Sequence, residues 1–298
     1  MVMKFRAHET FFIRKGWINK GMKYVAIKPD VFIDKDENPM DVLGIGANMV
    51  KSLRYWLPTI GLTEEAIKGK RVQTFTDFGK SVYENDAFIE ELGTLYLIHY
   101  KLVTNKENAT AWYYFFNEFT LSDFNRDDFA AQIGKYIQME GDDINVAPRS
   151  ILEDFACIVN TYVSRLKSNP SKVSAENNID CPLGQLGLID ILSKEKNNWV
   201  YKKATPAART FNPWIILAVI HDQAGDRDEI GLNELLTTPC NIGRVFNLDS
   251  ITMLEILHLA EKTGDIKIIR TAGLDVIHLN STLTFQDCVD RYYQEINS

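Results

Sequence analysis

Met40-Asp41-Val42-Leu43-Gly44-Ile45-Gly46-Ala47-Asn48-Met49-Val50-Lys51-Ser52-Leu53-Arg54-Tyr55-Trp56-Leu57 is the stretch from which the fold is read. Residues 40–43 predict a short helix and Gly44-Ile45-Gly46 a tight turn. Residues 47–57 predict a second helix, closed by Gly61. On a 3.6-residue period Met49, Val50, Leu53, Trp56 and Leu57 share one side. Asn48, Lys51, Ser52 and Tyr55 share the other, with Arg54 at its edge. A short helix, a glycine turn and a helix with a polar, basic face are the grammar of a helix–turn–helix.

The flanks extend this pattern. Val72-Gln73-Thr74-Phe75-Thr76 is a strand candidate by its β-branched and aromatic content. Asp77 then caps a helix over residues 78–83. A basic loop (Lys68, Lys70, Arg71) lies between, so the order is that of a winged helix. Residues 5–24 mix aromatic and basic side chains. Residues 29–39 are an acidic loop that lacks the central Gly and final Glu of a calcium loop.

Residues 88–103, 111–119, 124–139 and 146–166 predict helices, and their aromatic stripe reads as core rather than as a base-stacking platform. Polar residues 168–178, with Pro170, read as a linker. Residues 212–224, 232–236 and 250–263 predict helices, the last capped by Asp249 and ended by Gly264. Strands over 266–269 and 276–279 flank Thr271-Ala272-Gly273, a hairpin signal. A second winged helix is expected, but its would-be recognition helix carries Glu255, His258, Glu261 and Lys262. Acidic groups repel phosphates, so protein contact or internal packing is expected there. The expected fold is mainly α with small β wings: a winged helix over 1–86, a helical middle over 87–168, and a winged-helix-like unit over 179–298.

The chain has 298 residues and a formal charge of −7. That total speaks against a general nucleic-acid binder. Its distribution does not: residues 1–71 carry +5 and residues 72–298 carry −12. Such asymmetry points to a localised anionic partner. The richest apolar run, Trp214 to Ile220, is too short to span a bilayer, and no apolar leader follows Lys4, Arg6, His8 and Glu9. No membrane partner and a cytoplasmic location are expected. Cys157, Cys181, Cys240 and Cys288 lack CxxC spacing, which argues against a zinc ribbon and a disulfide framework. With neither a GxxxxGK[ST] loop nor a GxSxG elbow, an NTPase and a serine hydrolase have no support.

Several phrases resemble a known family: Phe5-Arg6-Ala7-His8-Glu9-Thr10-Phe11, Arg14-Lys15-Gly16-Trp17, residues 43–56 quoted above, Gly93-Thr94-Leu95-Tyr96, Ala109-Thr110-Ala111-Trp112-Tyr113, Cys181-Pro182-Leu183, Gly243-Arg244-Val245-Phe246 and Thr271-Ala272-Gly273-Leu274-Asp275. Together they resemble a bacterial domain family long without an assigned function, of the kind carried by SspB-type components of single-strand DNA phosphorothioation systems. The resemblance spans nearly the whole chain. It implies DNA sulfur modification in phage defence and a DNA-nicking component. The implied partners are double-stranded DNA, a cysteine desulfurase, an ATPase and an ATP-pyrophosphatase-like sulfur transferase. The alternative from another class is a non-catalytic winged-helix transcriptional regulator or interaction scaffold.

Candidate DNA-binding residues are Asn48, Lys51, Ser52, Arg54 and Tyr55, with Lys68, Lys70 and Arg71 adding phosphate contacts. The competing reading is a plain solvated helix face and loop. A nickase needs an activated water and a charge stabiliser, so Mg²⁺ or Mn²⁺ is the expected cofactor. His8 as base or ligand, Glu9 as metal ligand and Arg14 as phosphate clamp are the catalytic candidates. The competing reading makes that phrase structural. His99 reads as a satisfied core histidine. Asp123, Asp127 and Asp128 could hold Mg²⁺ only with ligands from another element, and otherwise read as helix-start charges.

Overall fold

Asn38 starts the decisive stretch by accepting a hydrogen bond from the Met40 amide at 3.1 Å, an N-cap for α2 (Pro39–Leu43). Gly44 ends α2 at φ +61°, a left-handed turn that suits glycine. The chain then enters α3 (Ala47–Thr59), and α1 (Trp17–Ile27) packs across it. β1 (Thr63–Glu65) and β2 (Gln73–Phe75) follow as an antiparallel pair. Thr76 caps α4 (Asp77–Asn85) by accepting from the Gly79 amide at 2.9 Å. The computed structural model describes residues 3–141, 145–163, 180–195, 198–271 and 274–298. The expected linker over 168–178, and Ala272 and Gly273 of the late hairpin turn, lie outside the described residues.

The middle is helical, as its periodicity predicts. α5 (Leu92–Thr104) begins four residues later than expected, because the Asp86 carboxylate holds the Glu90 and Glu91 amides in a turn at 2.9 and 3.1 Å. α6 (Thr110–Tyr113) runs into a π-helical turn, Tyr114–Glu118. α7 (Arg126–Glu140) and α8 (Pro148–Tyr162) complete the group. β3 (Asp123–Phe124) pairs with β5 (Asn198–Lys203), which also pairs with β4 (Ile189–Glu195), so one small sheet joins the middle to the last third. That sheet lies outside the elements expected from sequence.

The last third contains α9 (Pro213–Ala224), β6 (Glu229–Gly231), α10 (Leu232–Thr237), α11 (Ile242–Val245), α12 (Ser250–Glu261), β7 (Ile266–Thr271), β8 (Leu274–Leu279) and α13 (Phe285–Ile296). Asp249 caps α12 by accepting from the Thr252 amide at 2.7 Å, as expected. The strand order is β6-β8-β7, all antiparallel. The fold is thus mainly α-helical with small antiparallel sheets. The aromatic stripe is core: Tyr96, Tyr100, Trp112, Phe115 and Phe116 are buried in a single apolar cluster running from Ile13 to Tyr293.

Candidate nucleic-acid interface

α3 presents two faces, and their burial follows the expected pattern with one correction. Val50, Leu53, Trp56 and Leu57 are buried. Asn48 and Lys51 are exposed, and Arg54 and Tyr55 are half-buried. Ser52, expected on the open face, is fully buried and donates to the Phe11 carbonyl at 3.4 Å. The reason is local. Ser52 lies one residue before Leu53 and one turn before Trp56, at the edge of the apolar stripe, and the amino-terminal segment lies across that edge. Trp56 Nε1 donates to the same Phe11 carbonyl at 2.9 Å. The hydroxyl of Ser52 is therefore unavailable to a nucleic-acid backbone.

The open edge of α3, the amino terminus and the β1–β2 hairpin bound a groove of about 530 Å³. Lys4, Lys51, Arg54 and Arg71 line it, and Glu65 is the one acid among its lining residues. Arg54 clasps Glu65 in a two-pronged pair, at 2.8 Å from Nε and 2.9 Å from Nη2. Arg71 Nε reaches the same carboxylate at 2.8 Å. Burial opposes ionisation of Glu65, but Arg54 and its neighbours outweigh it and hold the carboxyl below its ordinary value. Gln73 ties the hairpin to α3 by donating to the Arg54 carbonyl at 2.8 Å. Burial raises the Tyr55 phenol well above its ordinary value, with the Asp154 charge adding to this. It stays protonated and donates to the Asn108 carbonyl at 2.7 Å. Lys70 pairs with Asp30. Lys51 and Lys68 have no ion pair among the described residues and remain exposed.

The opening phrase is built differently. His8 is 1% exposed. Its Nε2 lies 2.6 Å from Asp154 Oδ1, which also accepts from the Arg6 amide at 2.8 Å. The imidazole stacks on Trp56 at 6.0 Å and meets the edge of Trp112 at 5.5 Å. Arg6, Glu9 and Thr10 all have positive φ, at 59°, 51° and 67°, so this turn is strained and is held from outside. Arg14 sits over the Phe11 and Trp17 rings at 5.5 and 5.4 Å. Among the described residues, neither Glu9 nor Arg14 shares a hydrogen bond or ion pair with His8. The three catalytic candidates are not brought together in one cleft, and His8 is walled off from solvent.

The remaining expectations settle locally. His99 is satisfied on both nitrogens, by the Tyr162 hydroxyl and the Val245 carbonyl, each at 2.7 Å. Asp128 forms a capping box with Asn125, and Asp127 meets Arg126 at 3.2 Å, so these acids serve the start of α7. Among the described residues, no group of three or more His, Cys, Asp or Glu side chains could hold a metal ion. All four cysteines are free thiols. No helix among the described residues is long and apolar enough to cross a membrane. A second buried pair, His221 Nε2 to Asp265 Oδ2 at 2.6 Å, joins α9 to the start of β7. Spacing did not reveal it, because the partners are far apart in sequence.

A family model described as "Protein of unknown function (DUF4007)" matches residues 5–293. No curated protein matches the chain. Two crystal structures of SspB share the fold at 24% identity, each covering 99% of this chain and 89% of the other. The magnesium-bound form has a TM-score of 0.85 and the second structure 0.84.

Proposed function

The chain belongs to the DUF4007 family, and from that membership and the groove beside α3 we propose that it is the DNA-binding component of a DNA phosphorothioation defence system. The observation that carries this reading is the concentration of Lys4, Lys51, Arg54 and Arg71 around one open groove in a chain that is acidic overall. Cations clustered on one face are the electrostatic footprint of a polyanion.

In this reading α1 to α3 with the β1–β2 hairpin form a winged helix. α3 enters the groove of a duplex and the hairpin lies along the backbone. Lys51, Lys68 and Arg71 reach phosphates, Asn48 reaches a base edge, and Arg54 is oriented by Glu65. α9 to α12 with β6, β7 and β8 form the carboxy-terminal counterpart, which meets protein: a desulfurase, an ATPase or a sulfur transferase of the same system. The likeness to the SspB structures supports this reading through the fold.

Metal-dependent nicking is the enzymatic form of the same proposal. The described residues do not fit a Mg²⁺ or Mn²⁺ centre, because no set of ligands converges. In this reading His8, buried against Asp154, holds the opening turn.

The test is duplex affinity of the full chain by fluorescence anisotropy across a salt series. Each phosphate contact adds about 0.9 to the salt slope, so Lys51→Ala with Lys68→Ala lowers it by about two. An unchanged slope and affinity would overturn the interface. Supercoiled plasmid with Mg²⁺, Mn²⁺ or chelator tests nicking, and open circles confined to the metal arms would support it.

A further inference from the structure

The tip of the β1–β2 hairpin carries an apolar side chain where a wing ordinarily needs only polar ones. Ile67 is 94% exposed, the most exposed large hydrophobic among the described residues. It packs on no part of the core. Its neighbours are Lys68, Lys70 and Arg71, and it lines the cationic groove. Single exposed aliphatics are ordinary on protein surfaces. This one differs in lying beside Lys68 and Arg71 on a loop whose base is tied to α3.

The projection is fixed in three ways. The loop is closed by the Ala66 amide donating to the Val72 carbonyl at 3.0 Å and the Val72 amide to the Lys70 carbonyl at 2.8 Å. Gly69 takes φ +77° and supplies the reversal. Glu65 and Gln73 lock the hairpin base to α3, through Arg54. The position of Ile67 relative to the α3 face is therefore set before any partner arrives.

Resting on the DNA reading above, we propose that Ile67 is a wedge. With α3 in the major groove, the wing brings Ile67 to the adjacent minor groove, where it inserts between base pairs and unstacks one step while Lys68 and Arg71 hold the flanking phosphates. An aliphatic tip between cations suits this occupant: phosphates draw the cations in, and the apolar side chain leaves water only between the bases. Pyrimidine–purine steps, which unstack most readily, are the preferred sites.

The test uses the full chain and a set of duplexes placing 2-aminopurine beside successive TA steps. At saturation the wild type raises 2-aminopurine fluorescence at one step, and Ile67→Leu keeps that rise. Ile67→Ala binds about tenfold more weakly with the same salt slope, since no phosphate contact changes, and gives no rise. Saturation by the wild type with no rise at any step, or an equal rise with Ile67→Ala, overturns the wedge and leaves the interface intact. A wild type that fails to saturate any duplex overturns the DNA reading, and the wedge with it. Ile67 is exposed, so its replacement leaves folding unaffected, and matched unfolding curves verify this.

Discussion

His8 Nε2 and Asp154 Oδ1 meet at 2.6 Å although 146 residues separate them. The contact pins the strained opening turn, and through Trp56 the buried side of α3, to α8. Burial pushes the Asp154 carboxyl above its ordinary value against the pull of His8. Removing one partner of a buried pair strands the other, at a cost of about 3–5 kcal/mol. Asp154→Ala is therefore expected to lower the urea midpoint by that equivalent, with an unchanged denaturant slope. A loss below about 1 kcal/mol would show that the turn holds itself.

Glu65 sets the charge of the groove. Its carboxylate neutralises part of Arg54 and Arg71, and one unit charge at 4 Å is worth about 1 kcal/mol in water. Glu65→Gln is expected to raise duplex affinity about fivefold at low salt, the gain shrinking as salt rises. The same substitution should remove the contribution of the depressed Glu65 pKa to stability. That contribution is present above the unfolded carboxyl pKa and is lost as pH falls through the folded one. Isothermal titration with duplex, and unfolding at pH 7 and pH 3, read the two effects separately.

The α2–turn–α3 segment was legible because its signals are local. Gly44, the apolar spacing of α3 and the Thr76–Asp77 start of α4 each act within one or two turns. Ser52 was misplaced because its burial depends on Phe11, 41 residues away. The β4–β5 hairpin had a usable signal in Trp199-Val200-Tyr201, but its pairing to β3 is long-range. Of the cations that line the groove, Lys51, Arg54 and Arg71 were named from sequence as candidate contacts and Lys4 was not. The engagement of Arg54 by Glu65 was not legible, since Glu65 lies on β1 and Arg54 on α3. His8 was named from sequence as a base or ligand, with a structural role as the competing reading, and sequence carried nothing to place Asp154 beside it.

Gly79 explains how closely α4 approaches the hairpin. A Cβ at this position would lie 1.7 Å from the Leu62 carbonyl oxygen, a backbone atom that cannot rotate away. Gly79→Ala must push α4 from the residue preceding β1. Overpacking of this kind costs about 1–3 kcal/mol or somewhat more. The expected result is a lower melting temperature together with weaker duplex binding, because the β1–β2 hairpin shifts with β1. A variant of native stability and affinity would mean that the approach of α4 does not position the hairpin.

His99 supplies a pH signature for the core. Burial pushes its imidazole down to about 4, with the Val245 carbonyl opposing, so the ring is neutral in the fold. In the unfolded chain it titrates near 6.5. Between those values the unfolded state binds the additional proton, and stability therefore rises with pH through this window. A gap of about 2.5 units corresponds to roughly 3 kcal/mol. Wild-type unfolding free energy is expected to fall by about that amount on going from pH 7 to pH 4, beyond the share of the carboxylates. His99→Gln is less stable at pH 7, since it gives up a fitted hydrogen-bond pair, but its decline toward pH 4 is shallower by the same increment. Parallel declines for the two proteins would show that His99 titrates normally in the fold and that its two hydrogen bonds do not hold it neutral.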